Sequence, residues 1–156
     1  MIYYFLQEDL EQLDNRIAEL KNKIKEFQED KHLATTQTSE TWHDNYGFEE
    51  GVRQINQITN TISELLAIKE KAKIIKEIQS DKVEIGSTVK FKDESDKEYI
   101  VKIGSYFVIN SQNTISYNSP LGKILLGTRK GEIRTGIIGG KEKRFIITNI
   151  ALKASP

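Results

Sequence analysis

The 156-residue chain has no cysteine, is 37% hydrophobic and 29% charged, and carries formal charges that cancel. Disulfides and thiolate metal sites are excluded, and apolar runs of only a few residues span no bilayer. This composition suits one or two small soluble units with a long solvated helical element better than a single large globule, and it fits a reducing cytoplasm.

The zero net charge hides an asymmetry. Residues 1–80 hold 15 Asp and Glu against 10 Lys and Arg, whereas residues 81–156 hold 8 against 13. An acidic arm on a basic body suits different partners at its two ends, although such unevenness also occurs without any role. The opening MIYYFLQEDL has no basic stretch before its first acids, so no signal peptide is expected.

The first half has a helical period. Leu6, Leu10, Leu13, Ile17, Leu20, Ile24 and Phe27 follow alternating steps of four and three, the seam of a coiled coil. Ile55, Ile58, Ile62, Leu65, Ile68, Ala72 and Ile75 repeat the pattern with one slip near Lys69. Two such stripes bury each other in an antiparallel hairpin, and roughly 30 residues at 1.5 Å rise give an arm of about 45 Å. Residues 1–80 are expected to form this coiled coil, with a tip near 38–50.

That tip, TSETWHDNYGFEE, is more elaborate than a bend requires. His43 alone, with His32 as the other histidine, makes no independent zinc site, and a solvated or capping histidine is the ordinary reading. Trp42 either stacks on a nucleotide or closes the end of the seam. Asp44 either acts chemically or caps the second helix beside Asn45. Glu49 and Glu50 are expected to complement the second helix's N-terminal dipole.

From Val83 the period becomes two. Val83, Ile85, Val89 and Phe91 lead into the charged turn DESDKE, and Tyr99, Val101 and Ile103 continue beyond it. Gly139-Gly140 divides a second pair of strands, 133–138 and 144–150. Between the pairs, Ser119 is a good N-cap, Pro120 suits the first helical position and Gly127 suits the stop, which predicts a short helix over 120–126. The second long helix is expected to run almost directly into the first strand. The fold class is α+β, with 81–156 as a small antiparallel β domain containing one short helix.

Asn118-Ser119-Pro120-Leu121-Gly122 with Leu125-Leu126-Gly127, then Lys130-Gly131-Glu132, and Ile85–Val89 (IGSTV) together resemble the Gre family of bacterial transcript-cleavage factors over nearly the whole chain. The resemblance implies an FKBP-like β domain docking on RNA polymerase, with Ser119, Pro120, Leu121 and Gly122 in the docking segment. It implies an arm that enters the polymerase secondary channel near the active site. Family tips resemble Gly-Asp-Leu-Ser-Glu-Asn followed by an aromatic residue. Here Glu40-Thr41-Trp42-His43-Asp44-Asn45 aligns with them, and Phe48 takes the aromatic position.

Asp44 then replaces the family glutamate and Asn45 matches. Thr41 stands where the first acid belongs, with Glu40 adjacent. By this resemblance Asp44, with Glu40, assists a magnesium ion shared with the polymerase, and Thr41, Trp42, His43 and Asn45 are tip contacts. The factor needs no cofactor of its own and is not itself an enzyme: it stimulates cleavage of backtracked RNA by the polymerase. The implied setting is a cytoplasmic monomer near the nascent RNA 3′ end in a DNA-bound elongation complex, with no membrane role. A channel-occupying regulator without cleavage is the first alternative, and a coiled-coil adaptor the second. Lys123, Arg129, Lys130, Lys141, Lys143 and Arg144 offer a docking or RNA-approaching surface without an RNA-binding module's motif.

Overall fold

The computed structural model describes residues 1–37, 45–76, 80–109 and 112–152, with residues 31–37, 45, 46 and 152 described in backbone only. In chain order the elements are β1 (Tyr3–Phe5), α1 (Gln7–Gln37), α2 (Asn45–Glu70), β2 (Ala72–Ile74), β3 (Ser87–Lys92), β4 (Glu98–Gly104), β5 (Thr114–Ser116), α3 (Pro120–Leu125), β6 (Ile133–Ile138) and β7 (Lys141–Leu152). The chain divides into two compact units, Gln12–Lys71 and Met1–Glu11 with Ala72–Pro156.

The first unit is an antiparallel helical hairpin. Leu13, Ile17 and Leu20 of α1 and Ile62 and Leu65 of α2 are buried, all at predicted seam positions. Lys69 Nζ lies 2.6 Å from Asp14 Oδ1, which sets the end of α2 beside the beginning of α1. Each buried aliphatic side chain contributes about 1.5–3 kcal/mol relative to exposure. Burial weakens farther along the arm: Ile24, Phe27, Ile55 and Ile58 are only half-buried. A pair of helices has no third element to cover both flanks of its seam.

The predicted stripe overran both helices at their outer ends. Leu6 precedes α1 and is buried in the other unit, whereas Ala72 lies in β2 and Ile75 just beyond it. The Lys71 amide reaches back three residues to the Ile68 carbonyl, tightening the last turn, and the chain leaves the helix. Tyr3–Phe5 then pairs in parallel with Ala72–Ile74. The second helix therefore enters this two-stranded ribbon before reaching the main sheet.

The main sheet has the order β5-β4-β3-β7-β6. Both predicted strand pairs are present, β3 with β4 and β6 with β7, each antiparallel. The sheet as a whole is mixed, however, because β5 joins β4 in parallel. β4 ends at Gly104 and β5 begins at Thr114, with Lys102, Ile103 and Gly104 beside Thr114, Ile115 and Ser116 in the same direction. Val83 and Ile85 are also not strand residues. The Gly86 φ of +100° and the hydrogen bond that the Ser87 amide donates to the Glu84 carbonyl turn the chain there, and β3 starts at Ser87.

The core follows strand alternation. Val89 and Phe91 of β3, Ile103 of β4, Phe145 and Ile147 of β7, Leu125 of α3 and Val83 form one buried cluster. A bulge between Lys90 and Phe91 shifts the β3–β7 register, and the Thr148 hydroxyl there donates to the Lys90 carbonyl. A second bulge opens β6. Gly131, at φ +87°, donates to the Ile147 carbonyl, whose own amide donates to Glu132. Lys130-Gly131-Glu132 thus supplies the left-handed residue that this bulge type requires.

Candidate functional site

The predicted tip residues Glu40, Thr41, Trp42, His43 and Asp44 lie outside the described residues. Asn45 opens α2, and Phe48 is exposed one turn later. Glu49 and Glu50 fall beyond the first turn of α2, contrary to their expected place at its dipole. Glu50 instead accepts from Arg53 Nε and Nη2 at 3.0 and 2.8 Å and from Gln54 at 3.1 Å. The Arg53 hydrogen bonds, followed by those from Gln54, hold its carboxyl below the usual carboxylate range. This acid is engaged by its own helix.

The predicted docking segment is built around the start of α3. Ser119 is its N-cap, with extended backbone, and its side-chain oxygen accepts from the Gly122 amide at 3.0 Å. The same hydroxyl donates to the Ser116 carbonyl at 2.7 Å. Pro120 occupies the first turn, where a missing amide hydrogen costs nothing. Gly122 is required by space: a Cβ there would lie 2.1 Å from the Ser116 carbonyl oxygen. Gly127, at φ +76°, follows the helix, and its amide donates to the Val83 carbonyl.

Ser119 and Gly122 are therefore committed to forming this helix. Leu121 is half-buried against the core, and the segment's outward surface comes from Pro120, Lys123 and Leu126. Gly136 of β6 has a parallel reason, since a Cβ there would meet Ile124 Cδ1 at 2.3 Å. The motif packs a short helix closely against a strand.

Sequence reasoning missed a polar and aromatic cluster within the sheet-bearing unit. The rings of Tyr3 and Tyr106 lie 4.1 Å apart, and Tyr117 is 6.4 Å from Tyr106 and 6.2 Å from Tyr4. Burial, with Tyr3 close by, raises the Tyr106 phenol above its ordinary range. Next to Tyr106 in the chain, the buried Ser105 hydroxyl accepts from the Leu6 amide at 2.8 Å and donates to Asp9. Lys102 pairs with Glu8 at 2.5 Å. No periodic signal links residues 3–9 to 102–117, so nothing local in the sequence could have found this cluster.

Of the predicted basic residues, Arg129 pairs with Asp81 at 2.7 Å, which lowers the carboxyl and raises the guanidinium through their shared hydrogen bond. Lys123, Lys130, Lys141 and Lys143 make no ion pair among the described residues. Among the described residues, no group of three or more His, Cys, Asp or Glu is placed to hold a metal ion, and no helix is long and apolar enough to cross a membrane.

Residues 78–152 match the family model described as transcription elongation factor, GreA/GreB, C-term. The chain is also 35% identical over 134 residues to a transcription elongation factor GreA of Thermoanaerobacter pseudethanolicus, covering 82% of this chain and 79% of that protein. The chain belongs to the GreA/GreB family. The aligned length exceeds the whole sheet-bearing unit, so this Gre likeness extends into the helical arm. A GreA of Mycoplasmopsis pulmonis is 43% identical over 79 residues, about half of each chain. Among solved structures, the GreA factor homolog Gfh1 of Thermus thermophilus is similar at 24% identity and a TM-score of 0.44, covering 97% of this chain and 99% of that one. The Gre assignment makes this a transcription elongation factor by family, and it gives the α3 motif a family context beyond its own packing.

Proposed function

We propose that this Gre-family chain binds RNA polymerase, inserts its helical arm into the secondary channel and stimulates cleavage of backtracked RNA. The observation that carries the reading is the 35% identity to a GreA over 82% of the chain, which includes arm as well as sheet. The antiparallel hairpin supplies a narrow arm, and residues 38–44, which follow α1 and precede α2 in the sequence, include Glu40 and Asp44.

In this reading Asp44, aided by Glu40, brings negative charge to a magnesium ion held mainly by the polymerase. Such an ion, when bound, would supply Lewis-acid chemistry at the scissile phosphate and a more acidic water. The chain's own contribution is delivery: a carboxylate on a rigid arm, with Trp42, His43 and Asn45 as contacts around it. The segment Ser119–Gly122 takes part in docking through the outward surface near Pro120. The factor acts as a cytoplasmic monomer and is not itself an enzyme.

Thr41 supports a second reading. It stands where family tips carry their first acid and brings an oxygen without charge, which favours an arm that occupies the channel and restrains the polymerase. Purified backtracked elongation complexes separate the two. Metal-dependent RNA shortening that is lost in Asp44→Asn supports assisted cleavage. Binding without shortening supports channel occupation, and absence of binding removes both.

A further inference from the structure

Among the described residues, the outer edge of β6 presents a hydrogen-bonding ladder that no other strand uses. At its start the Ile147 amide donates to the Glu132 carbonyl at 2.9 Å, and the Ile147 carbonyl accepts from Gly131 at 2.7 Å. Antiparallel ladders alternate bonded and non-bonded pairs. In the observed register the next bonded pairs are Arg134 with Phe145, Gly136 with Lys143 and Ile138 with Lys141. The two-residue Gly139-Gly140 turn, with φ of +60° and +76°, closes on the last of these, as such turns do.

Ile133, Thr135 and Ile137 therefore direct their N–H and C=O groups away from β7. No strand pairs with that side among the described residues. Their side chains lie on the sheet face opposite the core, across from Ile146, Arg144 and Glu142 in turn, and Ile133 and Ile137 are 48% and 70% exposed. The opposite edge strand, β5, is blunted by its length of three residues. β6 has six residues, no proline and one charge, Arg134, itself held by Glu132 at 3.0 Å.

Charge selects the kind of partner. Residues 132–144 carry Arg134, Lys141, Lys143 and Arg144 against Glu132, which holds Arg134, and Glu142, an excess of two positive charges. A second copy in the same groove would set these cations against their equals, whereas an acidic strand would neutralise them. We propose that the free edge of β6 accepts an extended, acidic segment of a partner protein by strand addition. Backbone bonds at Ile133, Thr135 and Ile137 supply the ladder, the two isoleucines grip alternate apolar side chains, and the surrounding cations choose the sign. The site stands independently of the cleavage reading.

The test titrates the full-length protein with three capped heptapeptides: alternating Val and Glu, alternating Val and Lys, and the acidic sequence with N-methylated backbone. The Val/Glu peptide should slow amide exchange at Ile133, Thr135 and Ile137 by about tenfold or more. The amides of Arg134, Gly136 and Ile138, already bonded to β7, should change little. Thr135→Pro removes only an outward donor, and Ile137→Asp alters only an exposed side chain, so each variant should fold and weaken binding about tenfold. Equal binding of the lysine or N-methylated peptide would overturn the proposal. So would protection that grows with protein concentration in the absence of peptide, which would identify a second copy as the occupant.

Discussion

Asp9 and Ser105, 96 positions apart, are joined twice: the Asp9 carboxylate accepts from the Ser105 amide at 3.1 Å and from its hydroxyl. The same hydroxyl accepts from the Leu6 amide, so one buried side chain closes three polar groups where the N-terminal segment meets the end of β4. Ser105→Ala strips the Leu6 donor of its partner and halves the bonding of Asp9. A buried group left unsatisfied costs about 1–3 kcal/mol. Urea unfolding should show a loss of about 2 kcal/mol, with Ser105→Thr less affected if the site admits the methyl group. An unchanged midpoint for Ser105→Ala would mean that the network does not stabilise this unit.

Two glycine substitutions should move stability in opposite directions. At Gly122 a methyl group meets the Ser116 carbonyl oxygen, a backbone atom that cannot withdraw without disturbing the helix cap. Gly122→Ala should cost at least about 2 kcal/mol, in the range of overpacked cores. At Gly47, in the first turn of α2, a Cβ meets nothing within 4 Å. Gly47→Ala should raise stability by about 0.4–1 kcal/mol by restricting the unfolded chain. Thermal unfolding of the two variants beside the parent protein checks both signs.

These contrasts also explain what could be read in advance. Leu13, Ile17 and Leu20 could be read because helical packing repeats them at fixed spacing. Ser119-Pro120 and Gly127 could be read because capping is local chemistry. Tyr3–Phe5 and Ala72–Ile74 could not: each is a strand of three residues, and the partners lie far apart in sequence. The parallel entry of β5 was hidden for the same reason, since alternation does not encode strand direction. At the candidate site, Ser119 and Gly122 were visible as a motif, but their commitment to helix packing required the Ser116 carbonyl to be in place.

Asp93 makes a pH prediction. Its carboxylate accepts from the Ser95 hydroxyl at 2.7 Å, the Tyr99 hydroxyl at 2.9 Å and the Ser95 and Lys97 amides, which organise the turn between β3 and β4. The Ser95 hydroxyl bond leads the forces that lower its pKa to about 2, below the ordinary aspartate value of 3.8. A depressed carboxyl favours the fold above its unfolded pKa and loses that contribution as pH falls towards its folded value. The Asp93 contribution should therefore be complete above about pH 5 and disappear between about pH 4 and 2. In Asp93→Asn, the unfolding midpoint should be lower at pH 6, and the gap from the parent should close over that acid window. A gap independent of pH would assign the loss to turn geometry instead of ionisation.

The arm should be sensitive to its seam and nearly indifferent to its surface ion pairs. Leu65 is 4% exposed on α2, among Leu13, Ile17, Leu20 and Ile62 as the buried side chains of the hairpin. Its truncation to alanine removes apolar area and leaves a cavity, at a cost of about 2–4 kcal/mol. Ile58, two turns farther towards the tip, is only half-buried, so Ile58→Ala should cost less. The Lys69–Asp14 pair is close but its side chains are 44% and 45% exposed, and solvent screens such a contact. Asp14→Asn should thus change stability by no more than about 0.5 kcal/mol. Circular dichroism at helical wavelengths during thermal unfolding checks the order Leu65→Ala, Ile58→Ala, Asp14→Asn. If Asp14→Asn were the most damaging, charge pairing and not seam burial would be holding the two helices together.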